Sequence, residues 1–337
     1  MTRVFHDLLS LTKPRIAALL CLTGTGATFA AGGLAPWRLV AFVLAGLGMA
    51  GGAAVCNCYY DRDIDPAMDR TADRPLARGA LDPRLALAFG VGLLAAATGI
   101  GLWALPTVSV AYMWLGVAAY VGLYTVLLKR RHPLGVVLGG SAGSFPVLAG
   151  WTAVRPLATP AVVMAALVFV WTPAHAWALG VVYRDEFAAA GVATLPAVTT
   201  LARVRRAVWI SALGTIAVAA LLVPVAGPVY AGALAAGAPL FGSVYRTFHR
   251  VGGEPRAVRA FFTSNVFLAA AFVAWGVDGI VAAEPVGGVV AAAVTTAAFV
   301  GLWIARPSLD GVRASPPPAW VRRTVRACDR LRLRVTG

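Results

Sequence analysis

The sequence predicts an all-α membrane protein, a polytopic bundle of helices. Three observations carry this expectation. The chain has 337 residues, 59% of them hydrophobic and only 13% charged, which is far from the composition of a water-soluble domain. Apolar runs long enough to cross a bilayer recur from end to end, and each should be helical because an unpaired backbone is intolerable in lipid. The basic residues are also segregated. With the N-terminus in the cytoplasm, 27 of the 29 Lys and Arg fall in inside segments, and only Arg38 and Arg155 lie outside, as the positive-inside rule requires. The net charge of +15 is therefore mainly a topology signal. No charge run with interleaved aromatics is present, so the lipid bilayer is an expected partner and nucleic acid is not.

The spans are expected at 16–31, 39–58, 85–104, 109–128, 134–151, 158–182, 207–225, 227–245, 261–281 and 286–305. The start, MTRVFHDLLSLTKPRIAALL, lacks a small-residue cleavage site and reads as a retained first span. Long connections at 59–84, 183–206 and 246–260 all fall inside, whereas outside connections are short. Long loops in compact domains are usually functional, so the chemistry is expected on the cytoplasmic side of a bacterial inner membrane. Residues 1–305 form one membrane domain, and 306–337 a basic cytoplasmic tail. The eight arginines of that tail argue for the tenth span, which keeps them inside. Four cysteines, Cys21, Cys56, Cys58 and Cys328, show no disulfide framework. Gly139-Gly140-x2-Gly143 in the fifth span reads as a close helix contact.

The second span ends in Asn57-Cys-Tyr-Tyr-Asp61-Arg-Asp-Ile-Asp65. The spacing puts Asn57, Asp61 and Asp65 on one helix face. Pro66 disfavours helix at the preceding residue, so the helix is expected to end at about Asp65. Carboxylates at the negative end of a helix need a cation beside them. Hard oxygen ligands suit Mg²⁺, which usually also binds substrate phosphate. The plainer alternative is a solvated acidic loop balanced by Arg62, Arg70, Arg74 and Arg78.

Asn57-x3-Asp61-x3-Asp65, continued by Met68-Asp-Arg70-Thr71-Ala-Asp-Arg74-Pro75-Leu76, resembles the first signature of the UbiA superfamily of membrane prenyltransferases. Its form is similar to that of the branch that farnesylates protoheme IX. Trp171-Thr172-Pro173-Ala174-His175-Ala176-Trp177 resembles a further signature of that branch, with Ala174 and Ala176 in place of proline and phenylalanine. Tyr183-Arg184-Asp185-Glu186-Phe187 and Ala190–Pro196 resemble the second cytoplasmic motif, with Ala193 and Thr194 as departures. Tyr120-x3-Tyr124-Thr125-x3-Lys129-Arg130-Arg131, Leu11-Thr12-Lys13-Pro14-Arg15 and Arg259-x-Phe261-x2-Ser264-x2-Phe267 also resemble family segments, with Phe267 at a usual tyrosine position.

The resemblance implies a nine-helix UbiA bundle, with the tenth span as an addition. It implies Mg²⁺-dependent transfer of farnesyl from farnesyl diphosphate to a vinyl group of haem B, giving haem O for haem-copper oxidases, with haem A synthase downstream. Asn57, Asp61, Asp65 and Asp185 are the expected metal ligands. Lys13, Arg15, Arg62, Arg70, Arg74, Lys129 and Arg184 are expected on the diphosphate. His175, Trp171, Tyr124 and Ser264 are expected at the acceptor, with His175 also catalytic. His175 lies in a membrane span, where ionisable groups usually face a cavity or partner; a satisfied core histidine is the bland reading. Two rivals stay open: a UbiA-type enzyme using another flat acceptor, such as a quinone or chlorin precursor, and a transporter with an ion path. A transporter would carry its acids near mid-membrane, whereas these cluster at the cytoplasmic mouth.

Overall fold

The computed structural model describes residues 2–283, and every regular element in that range is helical. The tenth span and the basic tail lie outside the described residues. The nine earlier spans each fall on helix. In chain order the helices are α1 (Thr2–Leu11), α2 (Pro14–Ala30), α3 (Pro36–Asp61), α4 (Asp69–Ala72), α5 (Pro83–Ala104), α6 (Thr107–Val117), α7 (Gly135–Gly139), α8 (Ser141–Thr152), α9 (Thr159–Val182), α10 (Arg184–Ala189), α11 (Leu195–Val198), α12 (Leu201–Ala220), α13 (Pro228–Val251) and α14 (Glu254–Ala283). A π-helical stretch, Ala118–Leu128, continues α6. By length and composition five helices suffice to cross a membrane: α3, α5, α6 with its continuation, α9 and α14.

Proline starts many of these helices. Pro14, Pro36, Pro83, Pro160 and Pro228 sit in the first turn, where the missing N–H would be unpaired anyway. Large apolar side chains such as Leu44, Val91, Leu102 and Ile210 remain exposed, as suits a surface solvated by lipid. Trp37 at the start of α3 and Trp103 at the end of α5 lie 5.4 Å apart, at the interfacial level where tryptophan is favoured.

Small residues set the tight contacts. A Cβ on Gly52 of α3 would come within 2.7 Å of Leu94 and 2.8 Å of the Gly90 carbonyl on α5, so only glycine allows this backbone approach. The Gly139-Gly140-x2-Gly143 segment does the same work against Tyr124, Thr172 and Val168. The fifth span is not one continuous helix, since it breaks at Gly140 between α7 and α8.

The second span also departs from expectation. Helix α3 ends at Asp61, and Asp65 opens a single 3₁₀ turn, Asp65–Ala67. The expected shared face of Asn57, Asp61 and Asp65 therefore holds for the first pair only. Ending early avoids stacking a second carboxylate on that face at the negative helix end and lets the chain turn Asp65 toward Arg74. Two cytoplasm-assigned loops then meet: Met68 and Ile64 of the first pack with Phe187, Ala190 and Val192 of the second. Ala193 N–H donates to the Lys129 carbonyl at 3.1 Å, tying the second loop to the end of the π-helix.

Candidate active site

The site lies where α3 ends, α2 begins and the π-helix ends. Asn57 is its hub. Its Nδ2 donates to Asp61 Oδ2 at 2.7 Å and to Thr125 Oγ1 at 3.1 Å. Its Oδ1 accepts from Lys13 Nζ at 2.7 Å and from the Tyr120 hydroxyl at 3.0 Å. Asn57, Asp61 and Asp65 are all buried. Lys129 pairs with Asp61 Oδ2, and Arg130 approaches Asp61 Oδ1 at 3.6 Å. Arg74 donates to Asp65 Oδ2 at 2.7 Å, while Thr71 fixes that turn through the Asp65 carbonyl at 2.8 Å. Arg130 also makes two hydrogen bonds to Asp63, at 2.6 and 2.7 Å.

Two backbone anomalies build this cluster. Lys13, in the α1–α2 turn, has φ 52°, and no other non-glycine among the described residues has positive φ. A left-handed residue of this kind costs roughly 1–2 kcal/mol, and here it aims the lysine at Asn57. The π-helix is the second. Tyr120 and Lys129 are nine residues apart, about two and a half turns of an α-helix, which would put them on opposite sides. The wider π turn brings nine residues close to two full turns and places both on the site. Thr125 supports it by donating to the Tyr120 carbonyl, five residues back, at 2.8 Å.

Burial lowers the Lys129 ammonium below the usual lysine range, and Asp61 partly offsets this. Burial likewise lowers Lys13, although its stem is partly exposed, because the ammonium itself lies among buried groups. Both are cations held where an anion would strengthen their charge. Hydrogen bonds from Arg130 hold the Asp63 carboxyl below the usual range.

Asp61 Oδ1 and Asp65 Oδ1 are buried and have no hydrogen-bond partner. Each carboxylate thus keeps one oxygen free for a hard cation, and the donor set fits Mg²⁺. Among the described residues no three His, Cys, Asp or Glu side chains converge to hold an ion alone. Mg²⁺ needs no such cage, since it is commonly bound by one or two carboxylates plus substrate phosphate.

The expected residues do not all converge. Arg62 is exposed and turned back on Tyr59, donating to its carbonyl at 2.6 Å. Arg70 lies over the Tyr183 ring at 5.3 Å. Arg184 donates to the Thr199 carbonyl at 3.1 Å. Asp185 is exposed on α10, with no hydrogen bond or ion pair to the cluster. Arg15 lines an open cavity of about 480 Å³ with His6 and Lys13 at the α1–α2 turn. Tyr124 stacks on Tyr120, ring centres 6.2 Å apart. Tyr120, Thr125 and Arg130 join the site without belonging to the set expected from sequence. The nine-residue Tyr120–Lys129 spacing carries no signal unless a π-helix is assumed.

His175 forms a second centre. Its ring is stacked between Trp171 at 4.2 Å and Phe261 at 4.4 Å. Trp171, at i−4, shares its face, and its Nε1 donates to the Ser264 carbonyl at 3.0 Å. His175 Nδ1 lies 2.8 Å from Ser264 Oγ. That hydroxyl donates to the Phe261 carbonyl at 2.7 Å, so its lone pair is left to accept from Nδ1–H. The hydrogen-bond pattern therefore assigns the proton to Nδ1 and leaves Nε2 with a free lone pair.

An all-helical bundle that gathers buried carboxylates and cations at the end of α3 defines a class: a polytopic membrane protein. The chain belongs to the UbiA prenyltransferase family, whose model matches residues 18–266. It is 42% identical over 281 residues to a protoheme IX farnesyltransferase of Mycolicibacterium paratuberculosis, covering 80% of this chain and 90% of that one. In fold it is similar to a digeranylgeranylglyceryl phosphate synthase (TM-score 0.66, 15% identity, 82% of this chain and 99% of that one). It is also similar to a UbiA homologue of Archaeoglobus fulgidus bound to DMAPP and Mg²⁺ (TM-score 0.60, 17% identity, 80% of this chain and 98% of that one).

Proposed function

We propose that this protein transfers a farnesyl group from farnesyl diphosphate to a vinyl group of haem B, forming haem O. The observation that carries the reading is the pair of buried carboxylates, each with one free oxygen, set among Lys13, Arg74, Lys129 and Arg130. The name of relatives such as the mycobacterial one at 42% identity supports haem as acceptor.

Asp61 and Asp65 would hold Mg²⁺, which supplies neutralisation of the diphosphate leaving group. Asn57 orients Asp61 rather than offering its own oxygen, which Lys13 and Tyr120 already engage. Lys129 and Arg74, both within reach of those carboxylates, stabilise the charge that develops on the diphosphate as the allylic C–O bond breaks. The apolar bundle accommodates the farnesyl chain and keeps water from the cation. The vinyl carbon attacks that cation, and a water molecule adds to the resulting carbocation and loses a proton to solvent, leaving a hydroxyl. His175, flanked by Trp171 and Phe261, serves the flat macrocycle, and its Nε2 lone pair is the group that meets it. Haem A synthase would then consume the product. The site faces the cytoplasm, and so does the C-terminus, on the strength of the charge segregation.

Ligand binding tests the assignment of the two centres. His175→Ala should weaken haem binding and spare farnesyl diphosphate. Loss of diphosphate binding with intact haem binding would reverse the roles.

A further inference from the structure

Helix α9 carries Pro173 in its interior. A proline there has no N–H to give the carbonyl four residues back, and its ring crowds that carbonyl, opening the helix ladder. The next rung would run from Ala174 N–H to the Val170 carbonyl. Both of its groups instead meet one side chain from a neighbouring helix. Ala174 N–H donates to Ser211 Oγ at 3.0 Å, and the Ser211 hydroxyl donates to the Val170 carbonyl at 2.6 Å. Ser211 thus bridges the two groups of that rung. Side-chain insertion of this kind fixes a kink at a defined place. An independent feature of α12 supports the fit. One turn on from Ser211, a Cβ on Gly214 would come within 2.9 Å of Val170 Cγ1, so glycine lets α12 approach the opened segment.

His175 is the residue immediately after that rung. Its ring must fit between Trp171 and Phe261 and still reach Ser264 Oγ at 2.8 Å. Trp171 leaves α9 just before the break and His175 just after it, so their stacking depends on how the break is set. We infer that Ser211 is a positioning residue for His175: it bridges the backbone rung next to the one Pro173 removes and so fixes the direction in which the imidazole leaves α9. Its effect on the acceptor rests on the proposed role of His175, whereas its effect on the ring does not.

The experiment compares Ser211→Ala, Ser211→Thr, His175→Ala and the Ser211→Ala/His175→Ala double variant of the full chain. Magnetic resonance of isotope-labelled histidine, assigned through His175→Ala, reads the ring directly. Ser211→Ala should shift the His175 nitrogen signals and leave the other three histidines in place, and Ser211→Thr should restore them. Haem titration by absorbance reads the consequence. Ser211→Ala should weaken haem binding about ten-fold, leave the farnesyl diphosphate KM unchanged, and add nothing in the His175→Ala background. Unmoved His175 signals, or a loss of haem affinity that persists fully in the His175→Ala background, would overturn the inference. A His175→Ala variant with normal haem affinity would instead remove the acceptor reading, while the ring signals still report whether Ser211 positions the histidine.

Discussion

The Asp61–Lys129 pair offers the sharpest separation of folding from chemistry. Asp61 is fully buried and the Lys129 side chain is only 12% exposed. Removing one member leaves the other as a buried uncompensated charge, which costs about 3–5 kcal/mol. Lys129→Met should fall near the low end, because Arg130 remains 3.6 Å from Asp61 Oδ1. Asp61→Asn should cost more, since Lys129 then loses its only ion pair among the described residues while Arg130 keeps Asp63. In a chain of this size each single change should lower the melting temperature by roughly 5 °C. The double variant removes both charges and should return to within about 2 kcal/mol of the parent. Turnover should not return with it, because Asp61 is proposed to hold Mg²⁺ and Lys129 to stabilise the leaving diphosphate. Thermal unfolding of the purified variants and product formation by mass spectrometry read the two quantities separately. A double variant that regains stability and also turns over at the parent rate would refute the assigned chemistry. One no more stable than the single variants would refute the pairing.

Other outcomes follow from the same geometry. Arg74→Ala should abolish turnover, whereas Arg62→Ala, which loses only a contact to Tyr59, should change the rate by less than about two-fold; steady-state kinetics on both variants check this. Asp185→Ala, exposed and apart from the cluster, should behave like Arg62→Ala in the same assay. Gly52→Ala should lose about 1–3 kcal/mol by forcing α3 from α5, seen as a lower melting temperature with farnesyl diphosphate affinity retained. Ser264→Ala should free the His175 ring and weaken haem binding, measured by absorbance titration, without altering the diphosphate.

Much of this was legible in the sequence because membrane spans announce themselves by length and apolarity. The helical character of the apolar runs before residue 284, the close contact at Gly139-Gly140-x2-Gly143 and the shared face of Trp171 and His175 all follow from local pattern. Less legible were features that depend on tertiary partners. The end of α3 at Asp61 rather than near Asp65 reflects where Arg74 waits, which no spacing rule contains. The π-helix before Lys129 depends on Thr125 reaching back to Tyr120 and on Asn57, which donates to Thr125 and accepts from Tyr120. Asp185 and Arg62 carry the right chemistry in the right motif, yet their loops turn them away from the cluster. Ser211 gives no sequence signal at all, since its role exists only because α12 meets the opened turn of α9.

The proposed reaction moves the prenyl group of a prenyl diphosphate onto haem and releases diphosphate. Its most direct test is to incubate membranes containing the protein with haem B, farnesyl diphosphate and Mg²⁺ and to extract the haems for mass analysis. The account predicts haem O, formed only when all three are supplied and absent with Asp61→Ala. Unaltered haem B under these conditions, with a farnesylated quinone or chlorin precursor formed when that acceptor is offered, would contradict it.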